Sequence, residues 1–393
     1  MTSSKHVEES IKSYFNRICE NKDVLNLVWE DITALMNKET GKNYKESAYR
    51  KRWANYKEGL QDGFRKAIDE DKTLKEYETS LLKIQEEKVK LRDNRTALAQ
   101  QIRAKARFEN IVDELKDAMK DSLEPLIINS PKKNGKESDS VIVAAFSDFH
   151  VGSEFEHFFG RYSIEIFKER LEEYVAKIIS IGEQNKVSTI KILSLGDTIS
   201  GIIHVSTRLQ NAENVIAQIK IASEYIAQAL ANLAKHFTTV EYYTALGNHG
   251  RVSPSKEESL YNENFESIIP WYIEARVAKI ENIHIMKNEV DEGIIVADVF
   301  GEVIFGVHGD KDTVQRAATV LPVMLRKFPL SIWCGHLHSF GVETHYGIEV
   351  IKSGCLGGTD DYAKDRRLSG KPCQTVAIYN KEGLASIFNI NFK

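Results

Sequence analysis

Five apolar runs in this chain end the same way, on an Asp, Asn or His that usually sits beside a glycine, and this repetition restricts the fold more than any other feature. Val141–Phe146 leads into Ser147-Asp148-Phe149-His150, Ile190–Leu195 into Gly196-Asp197, and Val240–Leu246 into Gly247-Asn248-His249. Val303–Val307 leads into His308-Gly309, and Leu330–Cys334 into Gly335-His336-Leu337-His338. A short uninterrupted apolar run has the composition of a buried strand. Side chains alternate along a strand, so Asp148 and His150 are expected to point one way, beyond a sheet's carboxyl edge where α/β folds hold their ligands. The neighbouring glycines let the backbone turn tightly.

What lies between the runs sets the class. Helical patterns over 164–185 and 213–236 separate the first three strands, an order that marks a parallel sheet. The segment 152–161 reads as a loop. After a third helix over 260–279, strands are expected at 294–300, 303–308, 330–334, 341–345, 347–355, 375–379 and 385–392, as a second, mixed or antiparallel sheet. The fold class is α/β, two sheets face to face with helices outside.

The first third of the chain is different. Helices are expected over 6–21 and 24–36, then a break at Gly41 and Asn43, then a helix after Tyr44 with Tyr49, Trp53, Tyr56, Leu60 and Phe64 on one face. Arg50, Lys51, Arg52 and Lys57 make this third helix basic, so the region resembles a helix-turn-helix that would bind DNA. The competing reading, with equal weight, is a solvated helix face beside a small aromatic core, because the break is longer than the usual ~3–4-residue turn. Residues 72–122 contain no Pro or Gly, and Leu74, Tyr77, Leu81, Ile84, Leu91, Leu98 and Ile102 fall on heptad a and d positions. Such a seam is expected to pair in a homodimer or higher oligomer, although Lys88 and Arg95 interrupt it. The expected domains are therefore 1–71, helix-turn-helix-like; 72–124, a long helix and candidate coiled coil; 125–139, a polar linker; and 140–393, the α/β domain.

Charge and cysteines exclude several classes. A net charge of −4 with 28% charged residues announces no nucleic-acid partner globally, so DNA would have to be met by a local patch. Four scattered cysteines make neither a zinc nor a disulfide framework and fit a reducing compartment. The amino terminus lacks a signal peptide's apolar core, and no run reaches the ~18 apolar residues of a membrane helix. The expectation is a soluble cytoplasmic protein, in the host cell's cytoplasm if phage-encoded.

The strand-end groups are Asp148, His150, Asp197, Asn248, His308, His336 and His338. Seven donors are one too few for two separate four-coordinate sites, but enough if one carboxylate is shared. Two cations held about 3.5–4 Å apart can clamp both oxygens of an in-line phosphoryl displacement. This N/O donor set suits Mn, Fe, Zn or Co better than Ca, and Mg usually takes fewer histidines.

Taken in order, Asp148-x-His150, Gly196-Asp197, Gly247-Asn248-His249, His308 and Gly335-His336-x-His338 resemble the signature motifs of the calcineurin-like metallophosphoesterases, over about residues 141–392. The resemblance implies a four-layer α/β/β/α sandwich with two divalent metal ions, Mn2+ foremost. It puts Asp148, His150, Asp197 and His338 on one ion, Asn248, His308 and His336 on the other, with Asp197 shared, and gives His249 the role of protonating or stabilising the leaving oxygen. Two departures stand out: Gly250-Arg251 replaces the acid that often follows Gly-Asn-His, and Thr198-Ile199-Ser200 lacks the second acid after Gly-Asp.

His204, Arg208, Arg251 and Asp360 are candidates for substrate contact, the arginines because a guanidinium can fork onto a phosphate. The catalytic half is most similar to phage-encoded and Mre11/SbcD-type nuclease members. The expected function is a metal-dependent phosphodiesterase acting on DNA. The alternatives are a phosphatase or nucleotide phosphodiesterase for small substrates, and a DNA-binding scaffold with a structural metal.

Overall fold

The structure is a computed structural model that describes residues 2–68, 77, 79–96, 98–99, 102, 106, 113, 125–129, 138–203, 211–253, 263–311 and 313–393. The chain divides into two compact units, Met1–Ala99 and Gln100–Lys393.

In the first unit, helices α1 (Ile11–Glu20), α2 (Trp29–Thr40) and α3 (Glu46–Ile68) surround Tyr14, Phe15, Ile18, Ile32, Met36, Tyr49 and Trp53. The second helix starts later than the apolar spacing predicts. The Asp31 carboxylate accepts from the Val28 N–H at 2.9 Å, an acid reaching back to cap the first turn, and Val28 itself is left exposed. The apolar face of α3 is covered only in its first half, for Leu60 and Phe64 are exposed. Residues 79–96 are helical, and Leu81, Ile84 and Leu91 on them are exposed. Tyr77, Leu98 and Ile102 of the expected heptad are exposed as well, while Leu74 lies outside the described residues.

The second unit is built on two sheets. The first has the order β13-β12-β1-β4-β5-β6, from β1 (Ser140–Phe146), β4 (Thr189–Ser194), β5 (Thr239–Thr244), β6 (Ile283–Ile285), β12 (Cys373–Asn380) and β13 (Gly383–Asn391). Strands β1, β4, β5 and β6 run parallel, and β12 lies antiparallel beside β1. The second sheet has the order β10-β11-β9-β8-β7, from β7 (Ile294–Val299), β8 (Glu302–Val307), β9 (Ser331–Cys334), β10 (Gly341–His345) and β11 (Ile348–Lys352). Its central strands β8, β9 and β11 are parallel and its edge strands antiparallel.

Strand alternation sorts the core into layers. Ile142, Ala144 and Phe146 face α4 (Ile164–Gln184), α5 (Val215–Leu233) and α6 (Ile268–Val277). Val143, Ala145, Leu193 and Leu195 turn to the other side, against Ile295, Ile304, Trp333 and Ile351 of the second sheet. That sheet's outer face, with Phe305, Val307 and Ile332, is covered by Ala317, Ala318 and Leu321 of α7 (Val314–Leu325). The result is a four-layer α/β/β/α sandwich.

Several elements differ from the sequence expectation. The last two strands join the first sheet. β12 is buried along nearly its whole length, with Val376 and Ile378 toward the helices and Ala377 and Tyr379 toward the second sheet. A strand apolar on both faces fits either sheet, so pattern alone cannot choose. The expected loop 152–161 contains a hairpin, β2 (Phe155–His157) and β3 (Gly160–Tyr162). Helix α7 was not anticipated, because Pro322 in its last turns masks a helix that Thr313 caps through the Arg316 N–H. Within the expected linker, Leu126 donates its N–H to Arg276 O at 2.8 Å, and Leu126 and Ile128 pack on the core. Among the described residues no helix is long and apolar enough to cross a membrane.

Candidate metal centre

The site lies where β1, β4 and β5 of one sheet and β8 and β9 of the other come to their carboxyl ends. The loops after β1 and β4 continue the sheet's pairing for one more turn. Leu195 N–H donates to Phe146 O at 2.9 Å, Asp148 N–H to Gly196 O at 3.1 Å and His150 N–H to Asp197 O at 3.0 Å. This zip sets Asp148 and His150 beside Asp197.

Their common direction has a different cause from the one expected. Asp148 (φ 52°), His150 (φ 45°), Asp197 (φ 51°), His336 (φ 62°) and His338 (φ 52°) all adopt the left-handed backbone conformation, beyond the ends of their strands. Turns of this kind, not strand alternation, aim the side chains. A residue with a Cβ loses on the order of 1–3 kcal/mol in such a conformation, and it persists only where its surroundings hold it. Five of the eleven non-glycine residues in this conformation among the described residues are strand-end groups that the sequence singles out.

The side chains converge. His150 Nε2 is 3.1 Å from His338 Nε2, and His338 Nε2 is 3.3 Å from Asp148 Oδ1. Asp197 Oδ2 lies 3.2 Å from His308 Nε2 and 3.9 Å from His249 Nε2, and His308 Nε2 is 3.0 Å from Asn248 Oδ1. Three sets of donor atoms each fall within 4.8 Å: His150, His338 and Cys355; His150, Asp197 and His249; Asp197, His308 and His336. Two imidazole nitrogens at 3.1 Å bring lone pairs together unless a proton or a cation separates them, so the donor set fits a bound cation.

Backbone carbonyls orient the imidazoles. His308 Nδ1 is 2.8 Å from Leu195 O and His249 Nδ1 is 2.9 Å from Ser200 O, which directs each Nε2 inward. Asp148 accepts from the His336 N–H and from Ser147 Oγ. Gly247 permits the two loops to approach closely, for a Cβ there would stand 2.0 Å from the Asp197 nitrogen.

Burial works against charge on both aspartates, and the cationic histidines outweigh it. Asp148 is held below the ordinary carboxylate range, chiefly by His338, and Asp197 well below it by His308 and His249. Burial drives His150 well below its ordinary value. Burial also opposes charge on His308, but the Asp197 carboxylate prevails and lifts it to about 10. That pairing stabilises the protein fully below the ordinary histidine range and is lost as pH climbs through about 10. To ligate a metal, His308 must give up this proton, whereas the aspartates are already ionised. Metal uptake is therefore expected to release protons at neutral pH and to tighten as pH rises. Calorimetry in buffers of different ionisation enthalpy measures this directly, and uptake without proton release would contradict it.

This arrangement, a two-sheet sandwich carrying Asp148, His150, Asp197, Asn248, His249, His308, His336 and His338 in motif order at its strand ends, decides the architecture. The fold agrees with the four-layer sandwich that the resemblance to the calcineurin-like metallophosphoesterases implies. Residues 1–67 match the family described as the YonJ N-terminal domain. The chain is 27% identical over 388 residues to the SPbeta prophage-derived uncharacterized protein YonJ of Bacillus subtilis (strain 168), covering 96% of this chain and 95% of that protein. Among solved structures it is similar to a novel archaeal phosphodiesterase, at 13% identity and a TM-score of 0.33, over 64% of this chain and 99% of that one. It is also similar to wild-type Vps29 complexed with Zn2+ from Entamoeba histolytica, at 11% identity and a TM-score of 0.30, with the same coverage of 64% and 99%. None of these likenesses carries an activity to this chain.

Around the donor cluster the other candidates take various positions. Arg251 donates from Nε to Asn248 O at 3.0 Å, which ties it to the donor loop. Asp360 caps a short helix, α8 (Asp361–Asp365), accepting from the Ala363 N–H at 2.7 Å. His204 and Arg208 lie outside the described residues. In the first unit Arg50 pairs with Glu46 and lies over Trp29, Arg52 lies over Phe15, and Lys57 over Trp53, while Lys51 is exposed.

Two residues of the site escaped sequence reading. Cys355 is buried beside His150 and His338 and donates its S–H to Asp148 O at 3.1 Å; burial pushes its thiol well above the ordinary range. Glu266 is buried under the Asp197 and Gly247 loops, and burial, with Asp197's charge next, raises it to about 7. Cys355 closes the expected strand 347–355 beside Gly354, a signal of the motif kind, whereas Glu266 follows no apolar run and no local signal marks it.

Proposed function

We propose that this chain is a phosphodiesterase that works with two divalent metal ions and cleaves DNA. The observation that carries the reading is Asp197, a buried carboxylate common to two groups of donors. Asp148, His150 and His338 would hold one ion with Asp197, and Asn248, His308 and His336 the other. When bound, such ions supply charge to the phosphoryl oxygens and lower the pKa of water, the chemistry of an in-line displacement. Mn2+ is the proposed metal, with Fe, Zn, Co and Mg as alternatives.

The chain's own groups complete the reaction. Asp148 and Asp197 bring fixed negative charge into a buried site. His249, turned by Ser200 O, presents Nε2 beside Asp197 and gives a proton to the departing oxygen. Its backbone N–H donates to Asp197 Oδ1 at 2.8 Å, so acid and shared carboxylate are held in one frame.

DNA as substrate draws support from the exposed basic side chains of α3 and from Phe158 and Phe159, both exposed at the hairpin tip, on which bases could stack. That hairpin is rooted at the centre, since Tyr162 Oη donates to Phe149 O at 2.6 Å. A second reading, a phosphatase or nucleotide phosphodiesterase for small substrates, is favoured by Arg50, Arg52 and Lys57 resting on their own unit's aromatic rings. The scaffold reading is opposed by the presence of His249 beside a full donor set.

The test is hydrolysis by the full chain of single- and double-stranded DNA, RNA, cyclic nucleotides and bis-p-nitrophenyl phosphate, each with Mn2+, Mg2+ or EDTA. DNA cleavage that EDTA abolishes, and that falls when Arg50, Lys51, Arg52 and Lys57 are changed to Glu while the small ester is still hydrolysed, is the expected result. Equal DNA cleavage by that variant removes α3 from substrate recognition, hydrolysis of the small ester or cyclic nucleotides without DNA cleavage points to the small-substrate reading, and no hydrolysis in any arm sinks the enzyme. The exposed Leu81, Ile84, Leu91 and Leu98 are proposed to pair with a second copy of the chain. A single-chain mass on sedimentation would exclude that pairing.

A further inference from the structure

The acid missing after Gly-Asn-His leaves a structural problem, because the Asp197 and Asn248 loops must keep a fixed separation if one carboxylate is to serve two ions. We infer that Glu266, delivered from a turn downstream of the motif, is the positioning residue that locks these two loops together in this chain. The inference rests on the dinuclear reading of the site.

One carboxylate reaches both loops. Glu266 Oε1 accepts from the Thr198 N–H and, at 3.2 Å, from the Ile199 N–H, immediately after Asp197. Its Oε2 accepts at 2.9 Å from the Gly247 N–H, immediately before Asn248. Asn264 completes the clamp. Its Nδ2 donates to Gly247 O at 2.9 Å, its Oδ1 accepts from the Glu266 N–H at 2.9 Å, and Phe265 N–H donates to Gly250 O at 2.7 Å. Glu266 and Asn264 are only 4% and 1% exposed, so three loop N–H groups that water cannot reach depend on this carboxylate.

Gly250 shows why no side chain stands after Gly-Asn-His in this fold. A Cβ at that position would stand 2.0 Å from Asn264 Oδ1 and 2.8 Å from Glu266 Cγ. The space that a side chain after Gly-Asn-His would enter is already filled by the Asn264–Glu266 pair. The glycine and the distant acid therefore go together: Gly250 leaves the room that the Asn264–Glu266 pair takes up beneath the Gly247 loop.

The test is Mn2+ titration of the full chain, read by calorimetry and by electron paramagnetic resonance, where two ions sharing a carboxylate give an exchange-coupled signal. Glu266→Gln keeps the shape but turns an N–H donor toward a loop N–H. It is expected to weaken the second Mn2+ by ~10–100-fold and to replace the coupled signal with that of isolated ions. Asn264→Ala/Glu266→Ala should do the same, and adding Gly250→Glu to that pair should restore coupling. A Glu266→Gln protein with wild-type Mn2+ affinity and an unchanged coupled signal overturns the inference. So does a loss that Gly250→Glu does not repair and that merely parallels a lower melting temperature without metal. If the wild-type chain takes up no coupled pair, the dinuclear reading fails and the inference falls with it.

Discussion

Asp197→Asn is expected to lower kcat for phosphodiester hydrolysis by at least about 10³-fold, beyond the ~10–100-fold typical of groups that only support a ligand. The substitution preserves size and leaves a carbonyl oxygen that can still accept from the His249 N–H, as Asp197 Oδ1 does at 2.8 Å. What it removes is negative charge, and with it one of the two oxygens able to face a cation. Asp197 is 1% exposed and stands in two of the three donor groups, so no solvent or neighbouring acid replaces it. His308, which Asp197 raises to about 10, should titrate lower in the variant. Elemental analysis should find the bound metal reduced from two ions to one, together with the loss of rate. A variant that keeps both ions and hydrolyses within roughly tenfold of wild type would remove the shared carboxylate from the mechanism.

His249→Asn is expected to lower kcat on DNA by ~10²–10⁴-fold, the usual worth of a positioned proton donor, with both metal ions retained. The separation of effects follows from position. His249 Nε2 lies 3.9 Å from Asp197 Oδ2 and its Nδ1 is 2.9 Å from Ser200 O, and the proposed role gives it a proton to carry while the other donors keep the ions. The dependence on leaving group is diagnostic. A nitrophenolate departs without help, so bis-p-nitrophenyl phosphate should lose far less than DNA. Equal losses on both substrates, or loss of metal, would make His249 a structural group.

The contrast between Asp197 and Glu266 shows where sequence reading reaches its limit. Asp197 follows an apolar run and a glycine, a local pattern with a physical meaning, and it was legible together with Asp148, His150, Asn248, His308, His336 and His338. Glu266 sits in an unremarkable Asn-Phe-Glu-Ser stretch, and only folding brings it under the Thr198 and Gly247 amides. The reason given for the convergence also needed the structure. Alternation along a strand accounts for how Val143 and Ile142 divide between two cores. It does not account for Asp148 and His150, which lie past the strand in left-handed turns.

Periodicity and composition by themselves determined that this chain has an α/β unit with two sheets and outer helices, a helical first region, and a set of strand-end donors suited to divalent cations. These are local consequences of side-chain spacing, and they survive whatever the rest of the chain does. Only the tertiary structure decided that β12 and β13 close the first sheet, that α7 covers the second, and that Glu266 fills the space that Gly250 leaves open. Each of those outcomes depends on which surfaces meet, and a strand apolar on both faces or an acid in a loop carries no record of its eventual neighbour until the chain packs.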